Sequence, residues 1–187
     1  MNSTREILMK YVIIHGYGST PETSNSVKIF KEMILQYDKN AEIITPTYDV
    51  FDIQRSVENI MYMVDHHTIV IGISLGGFIA RYVANMTKAF KLLMVNPSIH
   101  AYKNLKKYPE MTDDVCNTFK PLYIEEDIHD LGIMVLLAMD DDVVDPIPTY
   151  NVYRERAIVI HSDGGHRMTT LPTLDHYIIR FLNTVNG

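Results

Sequence analysis

Thr68-Ile-Val-Ile-Gly-Ile-Ser-Leu-Gly-Gly77 decides how the rest of the chain is read. Its first six residues are apolar or small and rich in β-branched side chains, as a strand buried on both faces has to be. Past Ser74, the residues Leu75, Phe78, Ile79, Tyr82, Val83 and Met86 recur at helical spacing, so the strand runs straight into an amphipathic helix. The junction is Gly72-Ile-Ser74-Leu-Gly76, the G-x-S-x-G pattern of a nucleophile elbow. Such a turn holds the serine in a strained backbone conformation. The residues two before and two after it then approach too closely for side chains, and glycine fits both places. Alone the pattern is weak evidence; the strand before it and the helix starting on it give it weight.

The alternation continues outward in both directions. Upstream, Lys10–His15 reads as a buried strand, Val27, Phe30, Ile34 and Tyr37 as a helix face, and Glu42–Thr45 as a short strand. Asp52 is placed to cap a helix carrying Ile53, Val57, Ile60 and Val64, which His66 and His67 end. Downstream, Lys91–Val95, Ile133–Ala138 and Ala157–Ile160 read as strands. A last helix from about Thr170 carries Leu174, Tyr177, Ile178, Phe181 and Leu182 inward. Short strands alternating with helices imply a parallel sheet covered on both faces, hence an α/β fold. At 187 residues this is the size of one domain, 1–187. Residues 97–130, with Pro109, Pro121 and weak periodicity, read as a small lid-like insertion after the strand that follows the elbow helix.

Composition narrows the function classes. Hydrophobic residues make up 47% and charged residues 21%, which is globular rather than disordered, and no stretch reaches the roughly 18 apolar residues of a membrane span. The net charge is −6 and the one dense basic run, Lys103–Lys107, is broken by Asn104 and Leu105, so no nucleic-acid partner is expected. The first fifteen residues lack the apolar core of a signal peptide, which makes the cytoplasm the expected compartment. The single cysteine, Cys116, follows Asp113 and Asp114, whose charges disfavour a reactive thiolate.

The remaining motifs fall around the elbow. His15-Gly-Tyr-Gly18 ends the first strand, and in an α/β-hydrolase that loop supplies half of the oxyanion hole, here the Tyr17 amide; the other half is the amide after the nucleophile, Leu75. A dinucleotide fingerprint would need a third glycine where Pro21 stands, and no Gly-Lys-Ser/Thr follows, so neither phosphate motif is complete. Asp140-Asp-Asp-Val-Val-Asp145 follows one strand, and Asp163-Gly-Gly-His166 follows the next, giving the order serine, acid, histidine. The eight histidines form no metal-spaced set, so no metal or other cofactor is expected.

With HGY, GISLGG, VNPS, DDDVVD and GGH in this order along nearly the whole chain, the sequence resembles the YqiA-type small esterases of the α/β-hydrolase superfamily. The resemblance implies a compact α/β-hydrolase with little lid, acting on short acyl esters. It places the nucleophile on Ser74, the acid on Asp141 and the base on His166. Two positions depart from that family's pattern, with Asp140 where it has Gly and Gly165 where it has Asn. The first leaves the register of the acid open among Asp140, Asp141 and Asp142. Val143 and Val144, if they pack under the sheet, favour Asp141 and send Asp140, Asp142 and Asp145 to solvent. A second resemblance is to RBBP-type small serine hydrolases, some of which are better known as interaction proteins. The expected partner is a small acyl ester. An acyl thioesterase and a non-catalytic interaction module are the alternatives, and oligomeric state is not legible.

Overall fold

A computed structural model describes residues 9–184. Six parallel strands form one sheet: β1 (Lys10–Ile14), β2 (Glu42–Ile44), β3 (Thr68–Ile73), β4 (Lys91–Val95), β5 (Gly132–Ala138) and β6 (Ile158–Ser162), in the order β2-β1-β3-β4-β5-β6. The segments between and after the strands carry the helices: α1 (Asn25–Tyr37), α2 (Ile53–Met61), α3 (Leu75–Thr87), α4 (Ala101–Asn104), α5 (Asp113–Thr118), α6 (Pro146–Tyr153) and α7 (Asp175–Asn183). This is the expected α/β-hydrolase architecture, a parallel sheet with helices on both faces.

The two-residue period of the strands splits the core into two layers. Val12, Ile14, Val70, Leu92, Met94, Val135 and Leu137 face α2, α3 and the 99–122 segment. Tyr11, Ile13, Ile69, Ile71, Leu93, Val95, Met134 and Leu136 face α1 and α7. Because α1 and α3 leave neighbouring strands for opposite faces, the winding reverses between β1 and β3. In open α/β sheets the crevice at the carboxyl ends of such a strand pair is where ligands bind.

Three local readings are corrected. The aspartate that caps the entry to α2 is Asp49, which accepts from Phe51 N–H at 2.9 Å, while Asp52 makes no capping bond. Helix α2 ends at Met61, so His66 and His67 lie in the turn before β3. Met86 and Tyr177 are largely exposed, and on α3 the buried positions include Arg81 and Asn85 instead. Helix α6 is absent from the sequence reading; Asp145 caps it by accepting from Ile147 N–H at 3.0 Å, and Pro146 sits in its first turn, where a missing N–H costs nothing.

The burial of Arg81 explains how the 97–130 segment is held. Arg81 makes paired 2.9 Å bonds to Asp127, whose carboxylate also accepts from Asn85 at 2.9 Å and Tyr153 at 3.1 Å, with Arg156 at 3.3 Å. Leu105, Met111, Cys116, Phe119 and Leu122 are buried against the same face. Burial also pushes the Cys116 thiol pKa up, consistent with a packing residue. Removing one partner of a buried ion pair costs about 3–5 kcal/mol, and at this size about 2–4 °C of Tm follows each kcal/mol. Arg81→Met is therefore expected to lower Tm by roughly 10 °C in a thermal melt; a shift below about 2 °C would show that Asp127 does not depend on Arg81.

Candidate active site

Ser74 stands at the carboxyl end of β3 with φ 54° and ψ −117°, a conformation L residues avoid, and α3 starts on the next residue. The backbone is pinned: Ser74 N–H donates to Val95 O at 2.9 Å, and Ser98 N–H donates to Ser74 O at 3.0 Å. The two glycines of the elbow have the expected reason. A Cβ on Gly72 would lie 2.3 Å from Gly76 O, and one on Gly76 would lie 2.3 Å from Ile14 O. Gly77 has a further one, because its Cβ would lie 2.6 Å from the Pro97 side chain.

The structure brings Ser74, His166 and Asp141 into one hydrogen-bonded line. Ser74 Oγ–H donates to His166 Nε2 at 2.8 Å, and His166 Nδ1–H donates to Asp141 Oδ2 at 2.8 Å, the donor assignment following from the network. Asp141 Oδ1 accepts from Val143 N–H at 2.8 Å and Val144 N–H at 2.9 Å. Burial alone would raise the Asp141 pKa. The bonds from His166 and the two valine amides outweigh it and hold the carboxyl below its ordinary range, so Asp141 is ionised near neutrality. Its side chain is 1% exposed, so the negative charge sits out of water beside the imidazole.

Asp141 is thus the aspartate on His166, and the other three have distinct positions. Asp142 and Asp145 are both exposed, and Asp145 also caps α6. Asp140, although exposed, is not idle: it accepts from Gly164 N–H at 3.1 Å and Gly165 N–H at 2.9 Å, in the loop that carries His166. Asp163 lies in that loop too and makes no bond to the imidazole.

The first β-strand loop meets Ser74 from the other side. A Cβ on Gly16 would sit 3.2 Å from Ser74 Cβ, a contact tight enough that the neighbour would have to give by a few tenths of an ångström. Tyr17 and Leu75 both line the pocket at Ser74, and Leu75, the first residue of α3, has an amide that the helix itself leaves unsatisfied. Behind the loop, His15 Nδ1–H donates to Gly16 O at 2.9 Å, its ring stacks on Tyr48 at 4.5 Å, and Tyr48 OH donates to His15 O at 3.1 Å. Burial lowers the His15 pKa, which keeps it a neutral brace.

Part of the 97–130 segment lines this pocket. Ser98, Asn104, Leu105, Lys107 and Tyr108 line it opposite Val143 and Val144. Tyr17 packs on Tyr108 at 4.6 Å and its hydroxyl donates to Glu110, while Lys107 donates to Val143 O. The remaining space is about 20 Å³. Larger cavities exist, including one of about 430 Å³ near Tyr11, His67 and Phe90, but it lies at the opposite ends of the strands and holds no comparable set of groups.

Residues 10–183 match the UPF0227 family, described as an uncharacterised protein family. The chain belongs to this family. It is the family of the YqiA-type proteins whose motifs the sequence resembles. No curated protein matches this UPF0227 chain. Among solved structures it is similar to Est1E from Butyrivibrio proteoclasticus, with TM-score 0.74 at 11% identity over 95% of this chain and 89% of that one. It is similar to mouse alpha/beta hydrolase domain-containing protein 10, with TM-score 0.71 at 14% identity over 93% and 89%. The Pyrococcus furiosus esterase Pf2001 gives TM-score 0.66 at 14% identity over 93% and 82%. These likenesses establish the α/β-hydrolase fold of the UPF0227 chain. No helix among its described residues is long and apolar enough to cross a membrane.

Proposed function

We propose that the protein is a serine hydrolase, a carboxylesterase for short-chain acyl esters. The observation that carries this reading is the continuous hydrogen-bonded line Ser74–His166–Asp141, set at the mouth of the β1/β3 crevice. His166 Nε2 takes the Ser74 proton as Oγ attacks the ester carbonyl, and the Asp141 carboxylate stabilises the imidazolium and fixes its tautomer. The Tyr17 and Leu75 amides receive the developing oxyanion. His166 then protonates the departing alcohol. A water, deprotonated by His166, attacks the acyl-enzyme and releases the acid.

Substrate size follows from the pocket. Leu105, Tyr108 and Val144 crowd the space beside Ser74, which favours a short acyl chain over a long one. Structural neighbours include a protein named as an esterase, which points the same way. The test is a p-nitrophenyl ester series from two to twelve carbons, with matching acyl thioesters beside it. The kcat/KM for the four-carbon ester should exceed that for the twelve-carbon ester by at least roughly tenfold, since each misfitting methylene in a tight pocket counts. A twelve-carbon preference would contradict the short-chain reading, and exclusive turnover of thioesters would make this a thioesterase.

A further inference from the structure

Three chain segments supply Ser74, Asp141 and His166, and one four-residue turn is bonded to all three. Val95 O accepts from Ser74 N–H at 2.9 Å, and Ser98 N–H donates back to Ser74 O at 3.0 Å. Between them sits Asn96, which is 2% exposed and has φ 43°, in the left-handed region. Its N–H donates to Leu136 O at 2.9 Å and its Oδ1 accepts from Ala138 N–H at 2.8 Å, at the end of the strand that leads into Asp141. Its Nδ2 donates to Gly165 O at 3.2 Å and to His166 O at 3.0 Å. Every polar atom of this side chain is therefore used in joining the acid-bearing strand to the base-bearing loop. From the opposite side of that loop, Asp140 accepts the Gly164 and Gly165 amides.

We infer that Asn96, assisted by Asp140, is the positioning residue that sets where the His166 imidazole stands between Ser74 and Asp141; this rests on the hydrolase reading above. The loop needs such a device. Gly164 and Gly165 have φ of 107° and 62°, a backbone that glycine adopts freely and therefore leaves with other choices, so neither residue fixes the loop by itself. Only an amide side chain suits the site, since it must accept from one segment and donate twice to another. Asn also tolerates the left-handed backbone better than most residues. Asn96 does not line the pocket, so its contribution falls on the chemical step rather than on binding.

Asn96→Asp tests this most sharply. Asp keeps the backbone tolerance, the size and the acceptor for Ala138 N–H, but turns two donors into an acceptor facing two carbonyls. A misplacement of about 1 Å can cost about 10²-fold, so kcat on a short-chain ester should fall by roughly 30- to 100-fold with KM within roughly twofold. The low-field proton resonance of His166 Nδ1–H, assigned as the signal missing in His166→Gln, should broaden or vanish. Asp140→Ala, at an exposed position that folding tolerates, should show the same pattern at roughly three- to tenfold in kcat. If Asn96→Asp folds and its kcat stays within threefold with the resonance intact, or if only KM rises, the inference is wrong. If it does not fold, Asp140→Ala decides: unchanged kcat and a sharp resonance overturn the inference. Wild-type protein that reacts with fluorophosphonate at Ser74 while these variants react equally fast removes the positioning role alone; wild-type protein that does not react removes the hydrolase reading, and this inference with it.

Discussion

Ser74→Ala should lower kcat on short-chain esters by about 10⁶, the scale seen when a triad nucleophile is removed, leaving only what binding and the oxyanion hole provide. The change takes away one oxygen whose single side-chain partner is His166 Nε2. The strained backbone at φ 54° is the same for Ala as for Ser, so the turn is neither relieved nor worsened. The backbone bonds to Val95 and Ser98 stay in place. Thermal stability should therefore stay within a few degrees, as surface-type changes usually do. Steady-state kinetics beside a thermal melt separate the two effects. Activity within tenfold of wild type would exclude Ser74 as the nucleophile.

The second large effect belongs to Asp141→Asn, for which kcat should fall by roughly two to four orders of magnitude, scaled from the same loss of charge in a protease triad. The carboxylate holds His166 Nδ1–H with one oxygen and the Val143 and Val144 amides with the other. An amide can keep only one of these roles: turning its oxygen to the valine amides leaves NH₂ against Nδ1 and selects the wrong tautomer. Asp142→Asn, exposed and without such partners, should stay within roughly tenfold. Assaying the two side by side with circular dichroism reads the difference directly; equal losses, or none at Asp141, would place the acid elsewhere.

How far the sequence could be read depended on whether the deciding force was local. The strand Thr68–Ile73 and the glycines around Ser74 were legible because burial on both faces and close approach each leave a short-range mark. The turn after β5 was legible for a similar reason. Val144 is 7% exposed, and its amide and that of Val143 bond Asp141, three and two residues earlier in the chain. Arg81 and Asn85 were not legible. Polar residues on a helix normally face water, and their partner Asp127 is more than forty residues away. Helix α6 was not legible because Pro146 and Pro148 give no helical signal, and only the Asp145 cap shows where its first turn begins. Asp140 was read as a solvent-facing residue, because nothing near it announces the Gly164 and Gly165 amides that it holds. Asn96 was visible only as part of Asn96-Pro97 closing a strand; its three side-chain bonds all go to residues more than forty positions away.

Under the proposed function, Ser74 is a nucleophile activated by His166. The most direct measurement is treatment of the folded protein with a fluorophosphonate, followed by proteolysis and mass spectrometry of the adduct. One adduct on the peptide containing Ser74 is expected, absent in Ser74→Ala and formed at least roughly 10²-fold more slowly in His166→Gln, as loss of a general base requires. No adduct on folded protein, or an adduct on another serine such as the neighbouring Ser98, would contradict the account.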